Sequence, residues 1–89
     1  MQRRTVFYRG RVQGVGFRYT ARRIAQTYAV TGFVRNRTDG RVELVAEGDQ
    51  AEIDRFLAEI VATMESNIHD VQSATSPATG QFSSFEIAD

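Results

Sequence analysis

Cysteine and lysine are both absent from this 89-residue chain, and histidine occurs once, at His69. Without cysteine there is no disulfide and no thiolate metal site, and a single histidine does not favour a histidine-rich metal centre. No apolar run approaches the roughly 20 residues that span a bilayer, and the opening MQRRTVFYRG lacks the apolar core of a signal peptide. We therefore expect a soluble cytoplasmic protein.

Acidic residues are also missing from positions 1–38, which hold nine of the eleven arginines. All eleven Asp and Glu residues lie from Asp39 onward, so the net charge is zero. An arginine-rich half suggests an anionic ligand. A compositional bias towards arginine explains most of these residues equally well, and the two halves can interleave in a sheet.

Apolar spacing near the amino terminus predicts a strand followed by a helix. From Val6 to Val12 alternate residues share one face, which is the period of a strand with one buried side. From Phe17 to Tyr28 the apolar residues recur at helical spacing, and Gly32 is placed to mark the exit from that helix.

A β-hairpin and a second helix follow. The hairpin arms are predicted at residues 33–37 and 41–47, joined by an Asp-Gly turn. Asp49 is placed to cap the helix, and Glu52 three residues later completes a pattern similar to a capping box. The helix carries a core stripe at spacings of three and four, formed by Ile53, Phe56, Leu57, Ile60, Val61 and Met64.

The remaining segments are more weakly patterned. Residues 67–76 predict an edge-like strand, 76–81 a loop and 82–87 a short closing strand. The order is then β-α-β-β-α-β plus a short C-terminal strand in a single domain, residues 1–89. This order predicts an α+β fold, a ferredoxin-like split βαβ sandwich with two helices on one face of an antiparallel sheet of strand order 4-1-3-2.

The connection between the first strand and the first helix reads GRVQGVGFR, from Gly10 to Arg18. Its glycines permit a sharp turn, and they also let several backbone N–H groups converge on one anion at a helix N-terminus. Large side chains at Gly14 and Gly16 would obstruct such a cradle, and the fork of Arg18 suits two oxygens of a tetrahedral anion. The motif lacks the Gly-Lys-Ser/Thr ending of a nucleotide P-loop and the third glycine of the dinucleotide fingerprint.

Asn36 lies near the end of the first hairpin arm, in GFVRNRTDG. The predicted strand order allows this arm to end near the glycine loop. An asparagine amide offers a donor and an acceptor, which is enough to orient a water molecule without ionising. Preparation of the hairpin turn is the alternative explanation. His69 is the one imidazole, and its weakly patterned segment makes a catalytic role improbable.

The motifs GRVQGVGFR and GFVRNRTDGRVELVAEG together resemble the acylphosphatase family, over residues 5–61 and again at 82–87. The resemblance implies metal-independent hydrolysis of the carboxyl–phosphate bond of acyl phosphates, giving a carboxylate and inorganic phosphate. It implies no cofactor and no covalent phosphoenzyme. Residues 65–80 lack the Gly-Pro turn that often precedes the family's fourth strand, so the course of the chain there stays open.

Carried onto this chain, the resemblance implies two catalytic residues, Arg18 for binding the phosphoryl group and Asn36 for positioning the attacking water. It implies a substrate-binding cradle made by the backbone N–H groups of Gly14, Val15, Gly16, Phe17 and Arg18. The implied partner is a small-molecule acyl phosphate, with phosphate as a competitive inhibitor. We expect a monomer that binds neither nucleic acid nor membrane, and the acyl group stays open.

Two other functions fit parts of this pattern. RNA-recognition domains share the order of elements, but they display aromatic residues on the third strand, where this chain has the acidic RVELVAEG. Acylphosphatase-like domains also occur inside larger proteins, including hydrogenase maturation factors that use carbamoyl phosphate, and a non-catalytic binder is possible. Because the predicted strands reach both ends of the sequence, we expect a stand-alone enzyme.

Overall fold

The computed structural model describes residues 1–89, in which two helices pack on one face of a five-stranded sheet. In chain order the elements are β1 (Gln2–Gly10), α1 (Phe17–Ala25), β2 (Val30–Asn36), β3 (Val42–Gly48), α2 (Gln50–Met64), a 3₁₀ turn (Glu65–Asn67), β4 (Ile68–Pro77) and β5 (Phe85–Ile87). The predicted order of elements is confirmed, including the edge strand and the short closing strand.

The sheet has the strand order β4-β1-β3-β2-β5, which contains the predicted 4-1-3-2 arrangement. Its first four strands pair antiparallel, but β5 pairs parallel to β2, so the prediction of a wholly antiparallel sheet is wrong for this edge. The direction of β5 follows from the end of the sheet at which the chain crosses to it. Residues 78–84 pass from β4 to the far edge at the end of the sheet where β4 finishes and β2 starts, so β5 must run in the direction of β2.

The core lies between the sheet and the helices as one cluster of 17 buried residues. Of the predicted stripe on α2, Ile53, Phe56, Ile60 and Met64 are buried. Leu57 is only half-buried and Val61 is exposed, because these two lie on the flank of a face narrower than the spacing suggested. Phe85 of β5 closes the core edge-on against Phe56, with ring centroids 5.3 Å apart. Neither helix has the length and apolar character needed to cross a membrane.

Two local predictions are wrong. Gly32 lies inside β2 and does not end α1, which stops at Ala25; a Cβ on Gly32 would collide with the carbonyl oxygen of Val45 on β3. The capping box is not formed either. Asp49 precedes α2 without a side-chain cap, and the Glu52 carboxylate accepts a 2.8 Å hydrogen bond from the N–H of Ala29, before β2.

The Glu47 side chain of β3 fastens the crossing segment to the sheet. Its carboxylate accepts hydrogen bonds from the N–H groups of Thr79 (3.1 Å) and Gly80 (3.0 Å), from the Thr79 hydroxyl (2.9 Å) and from Arg3 Nε (2.7 Å). Burial alone raises the pKa of Glu47, but the hydrogen bonds from Thr79, Arg3 and Gly80 outweigh it and lower the pKa to about 2. The anionic form is therefore the one that the fold stabilises.

Glu47→Gln is expected to lower the free energy of unfolding at pH 7 by about 2 kcal/mol, because a charged acceptor of several hydrogen bonds is lost. In the wild type, the folded-state pKa of about 2 lies below the usual 4.5. The contribution of Glu47 is therefore complete above about pH 4.5 and is lost as the pH falls towards 2. Urea unfolding of both proteins from pH 7 to pH 3 measures it, with Glu65→Gln on the exposed 3₁₀ turn as control. A difference in stability that does not shrink with acidification contradicts this account.

Candidate active site

The loop between β1 and α1 depends on two glycines with left-handed backbone. β1 ends at Gly10, earlier than the predicted Val12, and Gly14 and Gly16 have φ angles of 75° and 81°. Residues with a side chain rarely adopt this conformation. A Cβ at either position would meet no protein atom within 4 Å. Backbone conformation, not crowding within the protein, therefore requires glycine here.

The start of α1 presents unpaired donors. Gly16 is the N-cap residue and has no side-chain cap, and the first intrahelical bond runs from the N–H of Thr20 to the carbonyl of Gly16 at 3.0 Å. The backbone N–H groups from Gly14 to Arg18 donate to no acceptor within the protein. Exposed N–H groups and the helix dipole give this end of α1 a partial positive charge.

Arg18 adds a full charge at the same place. The first turn of α1 has no acidic residue, and Arg18 forms no salt bridge with any carboxylate. A cation is electrostatically unfavourable at a helix N-terminus. The dipole and the guanidinium therefore reinforce one another, and both favour an anion.

Three arginines of the hairpin, near this end of the sheet, are paired with acids. Arg35 and Arg37 both contact the nearly buried Glu43, at 2.7 and 2.9 Å. Arg41 pairs with Asp39 at 2.8 Å, and its hydrogen bonds lower the pKa of that carboxyl to about 2. The sequence asymmetry between basic and acidic halves is therefore partly cancelled in space, although Arg9 and Arg11, at the end of β1, form no salt bridge. Arg18 differs from these three because its charge faces no acid.

A cavity of about 200 Å³ lies beside the loop. Asn36 and Arg18 both line it, so the structure brings these two predicted residues together; its walls are formed by Val12, Gly14, Gly16, Phe17, Arg18, Tyr19 and Asn36. Arg18 is the one charged side chain among them. Oδ1 of Asn36 is buried and accepts no hydrogen bond from the protein. His69 lies elsewhere, exposed on β4.

Two residues at this site were not predicted. Nε2 of Gln13 donates to the carbonyl oxygens of Arg37 (2.8 Å) and Arg41 (3.0 Å), so it ties the glycine loop to the hairpin just beyond Asn36. Both acceptors are backbone atoms, which no side-chain pattern reveals, although an amide beside two glycines is a usable signal. Tyr19 also lines the cavity, and its place directly after Arg18 was the available signal.

Fold and cavity together indicate a class, a small α+β protein with a pocket for a tetrahedral anion. The acylphosphatase family model matches residues 4–87. An acylphosphatase of Clostridium acetobutylicum is 39% identical over 88 residues, which cover 98% of this chain and 97% of that protein. The chain therefore belongs to the acylphosphatase family.

Solved structures agree with this relationship. The crystal structure of acylphosphatase from Bacillus subtilis matches with a TM-score of 0.89 at 31% identity, over the full length of both chains. The whole of this chain also matches 12% of T. kodakarensis HypF, with a TM-score of 0.85 at 27% identity. The predicted family, the ferredoxin-like fold and the enzyme class, a hydrolase of small acyl phosphates, are confirmed. The roles of individual residues stay predictions, as does the expectation of a stand-alone enzyme.

Proposed function

We propose that this protein hydrolyses acyl phosphates without a metal ion, through in-line attack by a water molecule that Asn36 positions. One observation carries the proposal: an unpaired arginine and an asparagine whose buried amide oxygen has no partner in the protein line the same small cavity, beside unpaired N–H groups. Each of these groups is unfavourable for stability alone. Together they match the charge and geometry of a phosphoryl group with a water molecule beside it.

The phosphoryl oxygens would accept hydrogen bonds from the N–H groups of residues 14–18 and from the guanidinium of Arg18. In a loose phosphoryl-transfer transition state the negative charge is spread over the three equatorial oxygens. Donors already aimed at those oxygens stabilise this state without reorganisation. The two positive φ angles in the loop permit several N–H groups to converge on one side of the chain.

The side-chain amide of Asn36 would hold the water by a hydrogen bond, with a lone pair of the water directed at phosphorus. An amide does not ionise near neutral pH, so it orients the water and does not deprotonate it. As the new P–O bond forms, the bond between phosphorus and the acyl oxygen breaks and its electron pair leaves with the carboxylate. The water's proton passes to a phosphoryl oxygen. A carboxylate is a good leaving group, so no general acid is required.

The test is release of phosphate from benzoyl phosphate in the presence of EDTA. We expect hydrolysis at the same rate with and without the chelator, and competitive inhibition by inorganic phosphate. A rate that EDTA abolishes and Mg²⁺ restores contradicts metal independence. A folded protein that releases no phosphate under either condition contradicts the function itself.

We further propose that residues 1–89 act as a single catalytic domain and as a monomer in the cytoplasm. A single core shared by both helices and the sheet supports one domain. The chain's lack of cysteine is compatible with a reducing compartment. Size-exclusion chromatography with light scattering tests the monomer, and a mass of twice 10.0 kDa contradicts it.

Gln13→Met is expected to lower kcat by about tenfold while the dissociation constant for phosphate changes little. Methionine preserves the length of the side chain but donates no hydrogen bond, so the hairpin that follows Asn36 loses its tie to the loop, and small misplacements of a reacting group are costly. Steady-state kinetics with acetyl phosphate and calorimetric titration with phosphate measure the two effects. Gln26→Met is the matched control, since Gln26 is exposed directly after α1. Equal losses in kcat and in phosphate affinity contradict a positioning role.

A further inference from the structure

The mouth of the cavity presents a single side chain. Among the residues that line the cavity, Gly14, Gly16 and Tyr19 are exposed, whereas the others are buried or half-buried. The exposed residues border the opening to solvent. Since two of them are glycines, Tyr19 has the one exposed side chain among the residues that line the cavity.

Tyr19 has no structural role that explains its position. The chain's other two tyrosines are engaged: Tyr8 is buried against Phe17 with ring centroids 4.9 Å apart, and the Tyr28 hydroxyl donates to Glu59 at 2.6 Å. Tyr19 is 70% exposed, its hydroxyl forms no hydrogen bond, and its ring stacks on no other aromatic side chain and on no arginine. Val15, on the adjacent loop, is another large exposed apolar residue, at 39%. Tyr19 is therefore an exposed aromatic side chain beside the cavity that the fold does not use.

In-line geometry decides on which side the acyl group leaves. The attacking and leaving oxygens lie on opposite sides of phosphorus, so a water held by Asn36 places the acyl group on the side away from Asn36. A second groove of about 280 Å³, lined by Arg35 and Arg37, adjoins Asn36 itself. Both of these arginines are engaged by Glu43. An acyl group on that side would extend towards the mouth and away from Arg35 and Arg37.

We propose that Tyr19 is a specificity-determining residue whose ring binds the acyl group and selects acyl phosphates with a flat, apolar acyl group, an aryl group above all. This inference rests on the proposed function, because it takes the cavity as the phosphoryl site. Stacking on an aromatic ring stabilises the bound acyl group without specific hydrogen bonds. The ring therefore favours a class of acyl groups and not one compound.

The experiment compares kcat/KM for benzoyl phosphate and acetyl phosphate in the wild type, Tyr19→Ala and Tyr19→Phe. Loss of the ring is expected to lower kcat/KM for benzoyl phosphate about tenfold more than kcat/KM for acetyl phosphate, and phenylalanine is expected to retain the preference. Val61→Ala, which removes an exposed apolar side chain from α2, is the control and should leave the ratio of the two values unchanged.

The outcomes separate this inference from the function on which it rests. Equal losses on both substrates in Tyr19→Ala, or an unchanged ratio, overturn the role of the ring while the hydrolysis itself stands. The same loss of preference in Tyr19→Phe as in Tyr19→Ala also overturns it, since the ring is still present. A wild type that hydrolyses neither substrate overturns the proposed function and this inference with it.

Discussion

Arg18→Ala is expected to lower kcat/KM for acetyl phosphate by about 10³-fold and to abolish measurable phosphate binding. Arg18 is the one charged side chain of the cavity and has no carboxylate partner, so its removal takes away the charge that faces the phosphoryl oxygens. Arg18→Lys should restore little, because a point charge does not reproduce two parallel hydrogen bonds from a planar fork. Steady-state kinetics and calorimetric titration with inorganic phosphate measure both effects.

A control variant and a stability measurement separate an effect of Arg18 on catalysis from an effect on folding. Arg23 lies on the same helix, is exposed and forms no salt bridge, so Arg23→Ala is the matched control and should keep wild-type activity. Because a cation near a helix N-terminus is unfavourable by about 0.3–1 kcal/mol, Arg18→Ala should be at least as stable as the wild type. Near-wild-type turnover of either Arg18 variant contradicts the role of Arg18 in binding the phosphoryl group. A variant that unfolds would instead indicate a structural role.

Asn36→Ala is expected to lower kcat by about 10²-fold with little change in the dissociation constant for phosphate. The amide contacts the water in the proposed mechanism and not the bound phosphate, so its loss affects the chemical step. Oδ1 of Asn36 is buried without a hydrogen-bond partner in the protein, so its removal should not reduce the free energy of unfolding. The two quantities to be measured in Asn36→Ala and the wild type are kcat with acetyl phosphate and the affinity for inorganic phosphate.

An increase in KM with an unchanged kcat would show that Asn36 binds substrate and does not hold the water. Gln26→Ala removes an exposed amide directly after α1 and serves as control for both measurements. A large loss of stability in Asn36→Ala would favour the alternative that the sequence left open, in which this residue prepares the hairpin.

Features that depend on neighbours in sequence were predictable. The glycine loop and most of the stripe on α2 are each encoded within a few residues, and the structure has both. The hairpin also turns where the Asp-Gly pair predicted, but only Gly40 has a positive φ, and the N–H of Gly40 closes the turn on the carbonyl of Arg37. The resemblance between the two motifs and one family also placed Arg18 and Asn36 at one site, and both line the same cavity.

Features that depend on distant parts of the chain were not predictable. The sequence pattern predicts that Glu52 belongs to a capping box. In the structure, its carboxylate instead accepts a hydrogen bond from a backbone N–H before β2. The sequence pattern predicts that Gly32 ends the first helix. In the structure, its lack of a side chain instead allows the close approach of β3. The bonds from Gln13 reach carbonyl groups 24 and 28 residues away. In each case a tertiary contact overrides the structure that the local sequence pattern predicts.

The strand order also bears on how the chain folds during synthesis. β1 is synthesised before the other elements of this fold, yet it ends in the sheet between β3 and β4. Its partner along one side, residues 68–77, is synthesised only after both helices and the hairpin. Pairing across so long an interval is slow, because the connecting chain must be ordered first. Until β4 arrives, a nascent molecule with both helices in place still has one side of its first strand open to other chains.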